Sequence, residues 1–171
     1  MVGALALAVG DRTATAMAAA AGVSESAATA LSALHHFLER PSVDMLRQVL
    51  GLTSSGTVRL VDSLVKAGYV RRKRGSDARS TAITLTASGR AAAKRVAVAR
   101  AEVLNEVLAP LSDDERTMLD GVLGKILVGM MREPGATRWN CRQCDTVTCR
   151  GAEGGCPVGN EASRRYFPSS E

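Results

Sequence analysis

Apolar positions in this chain recur mostly at three- and four-residue intervals between short breaker clusters, a pattern that predicts a succession of helices. The first runs from Val2 to about Ala20, with Leu5, Val9 and Met17 among many alanines. Its small residues allow close helix approach and suit an intersubunit seam; a frayed N-terminus is the alternative. Gly22-Val23-Ser24 interrupts it, and Ser24 is placed to cap a second helix through Leu38, with Ala27, Ala30, Leu31, Leu34 and Leu38 as its buried stripe. Arg40-Pro41 stops that helix, because the residue before proline disfavours helical angles. Ser42 caps a third helix that turns Val43, Leu46 and Leu50 inward, and Gly51 makes the next turn. Thr53 can accept from the free N–H groups of a fourth helix. There Val58, Val61, Leu64 and Val65 recur at helical spacing, while Ser54, Ser55, Thr57, Arg59, Asp62 and Lys66 fall on the solvent side. Gly68 stands where a glycine ends a helix.

Beyond Gly68 the period changes. Tyr69 and Val70 begin a strand that runs into Arg71-Arg72-Lys73-Arg74, Gly75-Ser76-Asp77 supplies turn chemistry, and Ser80 to Leu85 alternates with Ile83 and Leu85 on one face. Thr86 then caps a helix reaching about Leu108, whose apolar positions are Ala91, Val96, Val98, Ala101, Val103, Leu104, Val107 and Leu108; Pro110 ends it. Ser112-Asp113-Asp114-Glu115 has the form of a capping box. The helix after it carries Met118, Leu119, Val122, Leu123, Ile126, Leu127 and Met130, more apolar surface than one small winged domain covers. Gly121, Gly124 and Gly129 weaken it by up to ~1 kcal/mol each relative to alanine and are placed to mark close crossings. The expected fold is mainly α with a small β wing: a winged helix-turn-helix flanked by N- and C-terminal dimerisation helices. We divide the chain into dimerisation helices at 1–23 and 88–133, a winged helix-turn-helix domain at 24–87, and a tail at 134–171.

Composition refines this picture. Of 171 residues 46% are hydrophobic but only 3% aromatic, so the core must be built from Ala, Leu and Val. The apolar run Val2–Val9 lacks a preceding basic region and is too short to span a bilayer, so the chain reads as cytoplasmic and without a membrane partner. Charge is unevenly distributed. Between Arg59 and Arg100 eleven Lys or Arg stand against Asp62 and Asp77, a local +9 in a chain of net +5. Such a concentration around a helix and wing points to phosphate neutralisation rather than a merely solvated face.

Geometry then assigns roles. A reading helix presents its N-terminal outward residues to base edges, here Ser54, Ser55, Thr57 and Arg59, with Arg59 suited to a forked contact with guanine. Arg79 at the wing tip suits a narrow minor groove, and Asp77 is better placed to orient Arg79 than to meet phosphate. Alternation lets half of the strand cations reach phosphate, and Arg72 and Arg74 are assigned that task. His35 and His36 project about 100° apart on their helix, which does not favour joint ligation of one metal. They read as partly buried surface histidines, with an effector pocket as the alternative.

The run Leu64 to Val70 (L-x-x-x-G-Y-V), the wing residues Asp77 and Arg79, and the L-T-x-x-G of Leu85, Thr86 and Gly89 together resemble the MarR family of bacterial transcription regulators. The resemblance spans roughly Val23 to Met131, and its specificity lies in the combination. It implies an obligate homodimer whose two reading helices and two wings straddle a pseudo-palindromic duplex, with room for a small effector between the dimer helices and the winged domain.

The tail lies outside that resemblance. All four cysteines fall within sixteen residues, as Cys141, Cys144, Cys149 and Cys156, spaced C-x2-C-x4-C-x6-C-P. Such clustering in a cytosolic chain favours metal binding or redox chemistry over structural disulfides. Three readings stay open. An iron–sulfur cluster suits four thiolates on a glycine-bearing loop with a final Cys-Pro. Structural zinc would use the first C-x2-C as one knuckle. A thiol–disulfide switch of Cys141 and Cys144 needs no metal.

The sequence thus points to a DNA-binding regulator, of repressor type, whose affinity for its site follows the state of a cysteine centre. A small iron–sulfur redox protein using its winged domain to bind protein is the competing class. No Ser/His/Asp arrangement or carboxylate pair suggests an enzyme.

Overall fold

The computed structural model describes residues 1–74, 81–132, 141–144 and 155–166. Among these residues, seven helices and one hairpin follow in chain order: α1 (Val2–Ala21), α2 (Glu25–His36), α3 (Val43–Leu50), α4 (Ser54–Lys66), β1 (Val70–Arg74), β2 (Thr81–Leu85), α5 (Ala87–Leu108), α6 (Asp113–Gly129) and α7 (Pro157–Tyr166). This is the expected mainly helical winged helix-turn-helix, flanked by helices at both ends.

The helix starts obey local chemistry. Ser24, Ser42, Thr53, Thr86 and Ser112 each accept from the backbone N–H three residues on, and Ser112 and Glu115 close a reciprocal capping box. Each such cap contributes about 1 kcal/mol. The Ser112 backbone N–H donates to Glu115 at 2.8 Å, and this bond holds the Glu115 carboxyl below its usual range. Gly51 (φ 64°) and Gly68 (φ 73°) take the left-handed conformation that turns the chain after α3 and α4. α2 ends at His36, two residues short of Leu38, and the link to α3 instead passes through Arg40 at φ 47°, a conformation unusual for a side chain with a Cβ.

One core holds these elements together. Met17 of α1, Leu31 of α2, Leu46 of α3, Leu64 of α4, Ile83 of β2 and Val96 of α5 are all essentially removed from water. Burial of each such side chain contributes about 1.5–3 kcal/mol. α1 packs antiparallel along α5, with Arg12 pairing Glu106 at 2.5 Å and Arg95 donating to the Ala20 carbonyl at 2.9 Å. Its Met17 stripe is therefore used within the chain, while Met1, Val2, Leu5 and Leu7 at its start remain exposed. On α5 the buried alanines are Ala92 and Ala93; Ala91, Val98 and Ala101 face solvent, contrary to the sequence expectation.

β1 and β2 pair antiparallel from Val70 opposite Leu85 to Arg74 opposite Thr81. The base of this hairpin is strapped to its surroundings. Ile83 N–H donates to the Pro41 carbonyl, Thr86 N–H to the Tyr69 carbonyl, and the Tyr69 hydroxyl to the Ala21 carbonyl at 3.0 Å. The Thr86 hydroxyl lies 2.7 Å from the Gly68 carbonyl and accepts from Gly89 N–H, and the Ser88 hydroxyl donates to the same Gly68 carbonyl.

α6 leaves Met118, Val122, Leu123, Ile126, Leu127 and Met130 exposed, the wide apolar face that the sequence anticipated. Of its glycines, Gly124 meets the Pro157 ring of α7; among the described residues nothing stands close to Gly121 or Gly129.

Gly89 is where the packing tolerates least. A Cβ there would stand 1.8 Å from the Tyr69 carbonyl oxygen. We expect Gly89→Ala to lower stability by about 2–3 kcal/mol through overpacking against backbone that cannot yield. Urea unfolding checks this, and an unchanged midpoint would refute the close approach.

Candidate nucleic-acid interface

α3, the Gly51 turn and α4 form the helix-turn-helix, and the Thr57-Leu60-Val61-Leu64 stripe seats α4 in the core. The opposite side of α4 presents Ser54, Ser55, Val58, Arg59, Asp62 and Lys66 to solvent. Ser55, Val58, Arg59 and Asp62 are spaced to form one contiguous patch. Ser54, Ser55 and Arg59 thus stand outward, as their assigned role requires.

Thr57 does not. It is fully buried, and its hydroxyl donates to the Thr53 carbonyl at 2.9 Å, so it cannot reach a base edge. Val58 makes the reverse exchange: placed in the core by its spacing, it is 46% exposed, and Val65 is 38% exposed. The i, i+3, i+4, i+7 spacing of Thr57, Leu60, Val61 and Leu64 was available as a signal. Counting threonine as polar and valine as core rotated the helix by about one residue.

The wing lies beside this helix. Arg71, Arg72, Lys73 and Arg74 are all exposed, because a two-stranded hairpin has water on both faces beyond its base. Arg72 is engaged by α4: its guanidinium donates to the Asp62 carboxylate at 2.7 Å. The residue assigned to phosphate therefore ties the wing to the helix beside it. Arg71 approaches Thr84 at 3.4 Å. Arg74 ends the described strand, and Asp77 and Arg79 lie outside the described residues.

On α3, Asp44 accepts from Arg47 at 2.8 Å and Gln48 at 2.7 Å, and the Arg47 bond above all holds its carboxyl below the usual range. These side chains brace one another on the supporting helix.

Three of the four cysteines are described, and Cys149 lies outside the described residues. Cys156 is buried with Met131 and Val158, and Cys141 packs against that cluster. The Cys156 sulfur accepts from Gly159 N–H at 3.3 Å at the start of α7. The Cys141–Cys144 turn is tied to α2 by Gln143 donating to the Thr29 hydroxyl at 3.1 Å. Cys141 and Cys156 are thereby brought to one small cluster next to α6. Among the described residues no three His, Cys, Asp or Glu side chains gather closely enough to hold a metal. A cavity of about 310 Å³ lies between α2, α5 and this turn, lined by Ser32, His36, Arg100, Leu104, Asn105 and Gln143. His35 faces a different one, beside β2. No helix among the described residues is long and apolar enough to cross a membrane.

Two measurements test this geometry. A double-mutant cycle on Asp62→Ala and Arg72→Ala should give a coupling of about 0.2–1 kcal/mol in unfolding free energy, as expected of an exposed pair. It should shrink in 1 M salt, and strict additivity would show that the pair does not form. In α7, Arg164 grips Glu161 through bonds of 2.6 and 2.9 Å, Arg165 adds another, and the carboxyl is lowered from 4.5 to about 2. A carboxyl depressed on folding binds fewer protons in the native state, so its contribution is complete above pH 4.5 and lost as pH falls toward 2. Amide protection of α7 should hold from pH 7 to 5 and decline below, and an NMR titration midpoint of Glu161 near 4.5 would refute the pairing.

A family model described as "MarR family" matches residues 21–80. Among solved structures, the reduced form of MarR from E. coli superposes with a TM-score of 0.64 at 22% identity, covering 74% of this chain and 96% of that one. A MarR-family transcriptional regulator from Silicibacter pomeroyi gives 0.60 at 23%, covering 75% and 89%. A probable transcriptional regulator from Pseudomonas aeruginosa gives 0.57 at 24%, covering 74% and 96%. No curated protein matches the chain. At these identities the superpositions speak for the fold, and the model match for residues 21–80. With caps, turn, α4 and wing base where the motifs place them, this chain has a winged helix-turn-helix fold like that of the MarR-family structures, and its residues 21–80 match the MarR family model.

Proposed function

We propose that this protein is a homodimeric, sequence-specific DNA-binding transcription regulator, of repressor type, whose affinity for its operator follows the state of a cysteine centre in the C-terminal tail. The observation that carries the DNA reading is the outer face of α4. It offers Ser54, Ser55 and Arg59 to solvent on a helix locked into the core, with the exposed cations of β1 alongside. Hydroxyls and a guanidinium read base edges, and the wing cations neutralise phosphates. Dimerisation is supported by the exposed apolar face of α6, which a second copy would cover.

The regulatory part rests on the tail's chemistry. Cys141, Cys144, Cys149 and Cys156 would supply the thiolates for an iron–sulfur cluster or a zinc ion, or two of them a disulfide. A bound cluster would add redox chemistry, and zinc a structural clip. What the chain contributes is a route to the dimer helices: Cys156 opens α7, Pro157 lies against Gly124 of α6, and Arg165 donates to the Met131 carbonyl just beyond α6. On the other side Gln143 reaches α2. A change at the cysteines is thereby delivered to α6, and from there to the separation of the two reading helices. MarR from E. coli has been solved in oxidised and reduced forms. A small effector could use the cavity at His36 and Arg100.

Fluorescence anisotropy with a duplex selected from random sequence tests the DNA reading. Binding should weaken with salt by about 0.9 log units per log unit of salt for each phosphate contact, and Arg59→Ala should cost about 1–3 kcal/mol. Affinity that is independent of salt would refute it. Iron, sulfide and zinc assays on protein purified without oxygen identify the centre. Operator binding by Cys141→Ser and Cys156→Ser that equals wild type in both redox states would refute the coupling.

A further inference from the structure

Val58 is an isopropyl group held out in water on the second turn of the reading helix. Its neighbours on that face are polar or charged: Ser55 and Arg59 beside it, and Asp62 one turn on, whose carboxylate is occupied by Arg72 of the wing. A single apolar group between a hydroxyl and charged side chains is a poor docking site for a protein surface, which would need a larger contiguous apolar patch. It matches a DNA major groove, where the apolar group projecting from the base edges is the C5-methyl of thymine.

Position distinguishes it from the other exposed valine of this helix. Val65 lies two turns nearer the C-terminus, away from the end of a reading helix that approaches the bases. Ser54, Ser55, Val58 and Arg59 occupy the first turn and a half, where base contacts are made. With Thr57 turned into the core, Val58 takes the place on the reading face that the sequence had assigned to Thr57.

We infer that Val58 is a specificity-determining residue that packs against a thymine methyl within the operator half-site. This rests on the DNA-binding reading and adds a base identity to it. The test uses full-length protein and the duplex it selects. Each thymine of one half-site is replaced in turn by uracil, which removes only the methyl, and binding is measured for wild type, Val58→Ala and Val65→Ala. One replacement should weaken wild type and Val65→Ala by about fourfold, the worth of one buried methyl. The same replacement should leave Val58→Ala unchanged, because its contact is already lost. Circular dichroism and unfolding midpoints should match among the three proteins, since both valines are exposed. If every replacement affects Val58→Ala as much as wild type, the methyl contact is overturned while DNA binding stands. If wild type binds no duplex even at low salt, the proposed function is overturned and this inference with it.

Discussion

The junction of Gly68 and Tyr69 with Thr86 and Gly89 is the constraint on which the winged domain depends. Both Gly68 and Tyr69 carbonyls are claimed by the start of α5: Gly68 by the hydroxyls of Thr86 and Ser88, Tyr69 by the Thr86 backbone N–H. The absence of a Cβ at Gly89 lets the backbones approach this closely. The same Tyr69 reaches α1 through its hydroxyl. End of α4, start of wing, start of α5 and end of α1 are thus pinned within a few residues. That pinning fixes the angle at which the wing leaves the end of α4.

Around this junction the molecule separates rigid from addressable parts. α4 is seated by Leu60, Val61 and Leu64 and is not free to rotate, which keeps its outer residues in a fixed array. Among the described residues, Arg72 ties the wing beyond its base to α4 by an exposed ion pair with Asp62, a contact worth little in water and responsive to salt. A firmly seated α4 beside an exposed basic hairpin suits the proposed contact with a polyanion of fixed helical pitch.

The tail follows another logic. Its described parts touch α2 at Thr29 and α6 at Gly124, while the apolar face of α6 stays largely open. The described cysteines thus lie between α2 and α6. The proposed regulation uses that placement.

Much of the fold was legible in the chain because it is local. Caps at Ser24, Ser42, Thr53, Thr86 and Ser112, turns at Gly51 and Gly68, and the change of period after Gly68 are decided by neighbours within a turn, and all stand where the residues indicate. The concentration of charge and the exposure of Ser54, Ser55 and Arg59 belong with them. Tertiary structure decided what periodicity leaves degenerate. Thr57 and Val58 are adjacent and similar in volume, so only the fit of α4 against α2, α3 and β1 chooses which is buried. A threonine hydroxyl satisfied by the carbonyl four residues back goes inside as readily as a valine. Likewise Arg72 looks like any other cation of its strand until the hairpin bends beside α4 and brings it to Asp62. Local chemistry determined where most elements of the winged domain begin; packing across the core determined which side chains each one shows to its surroundings.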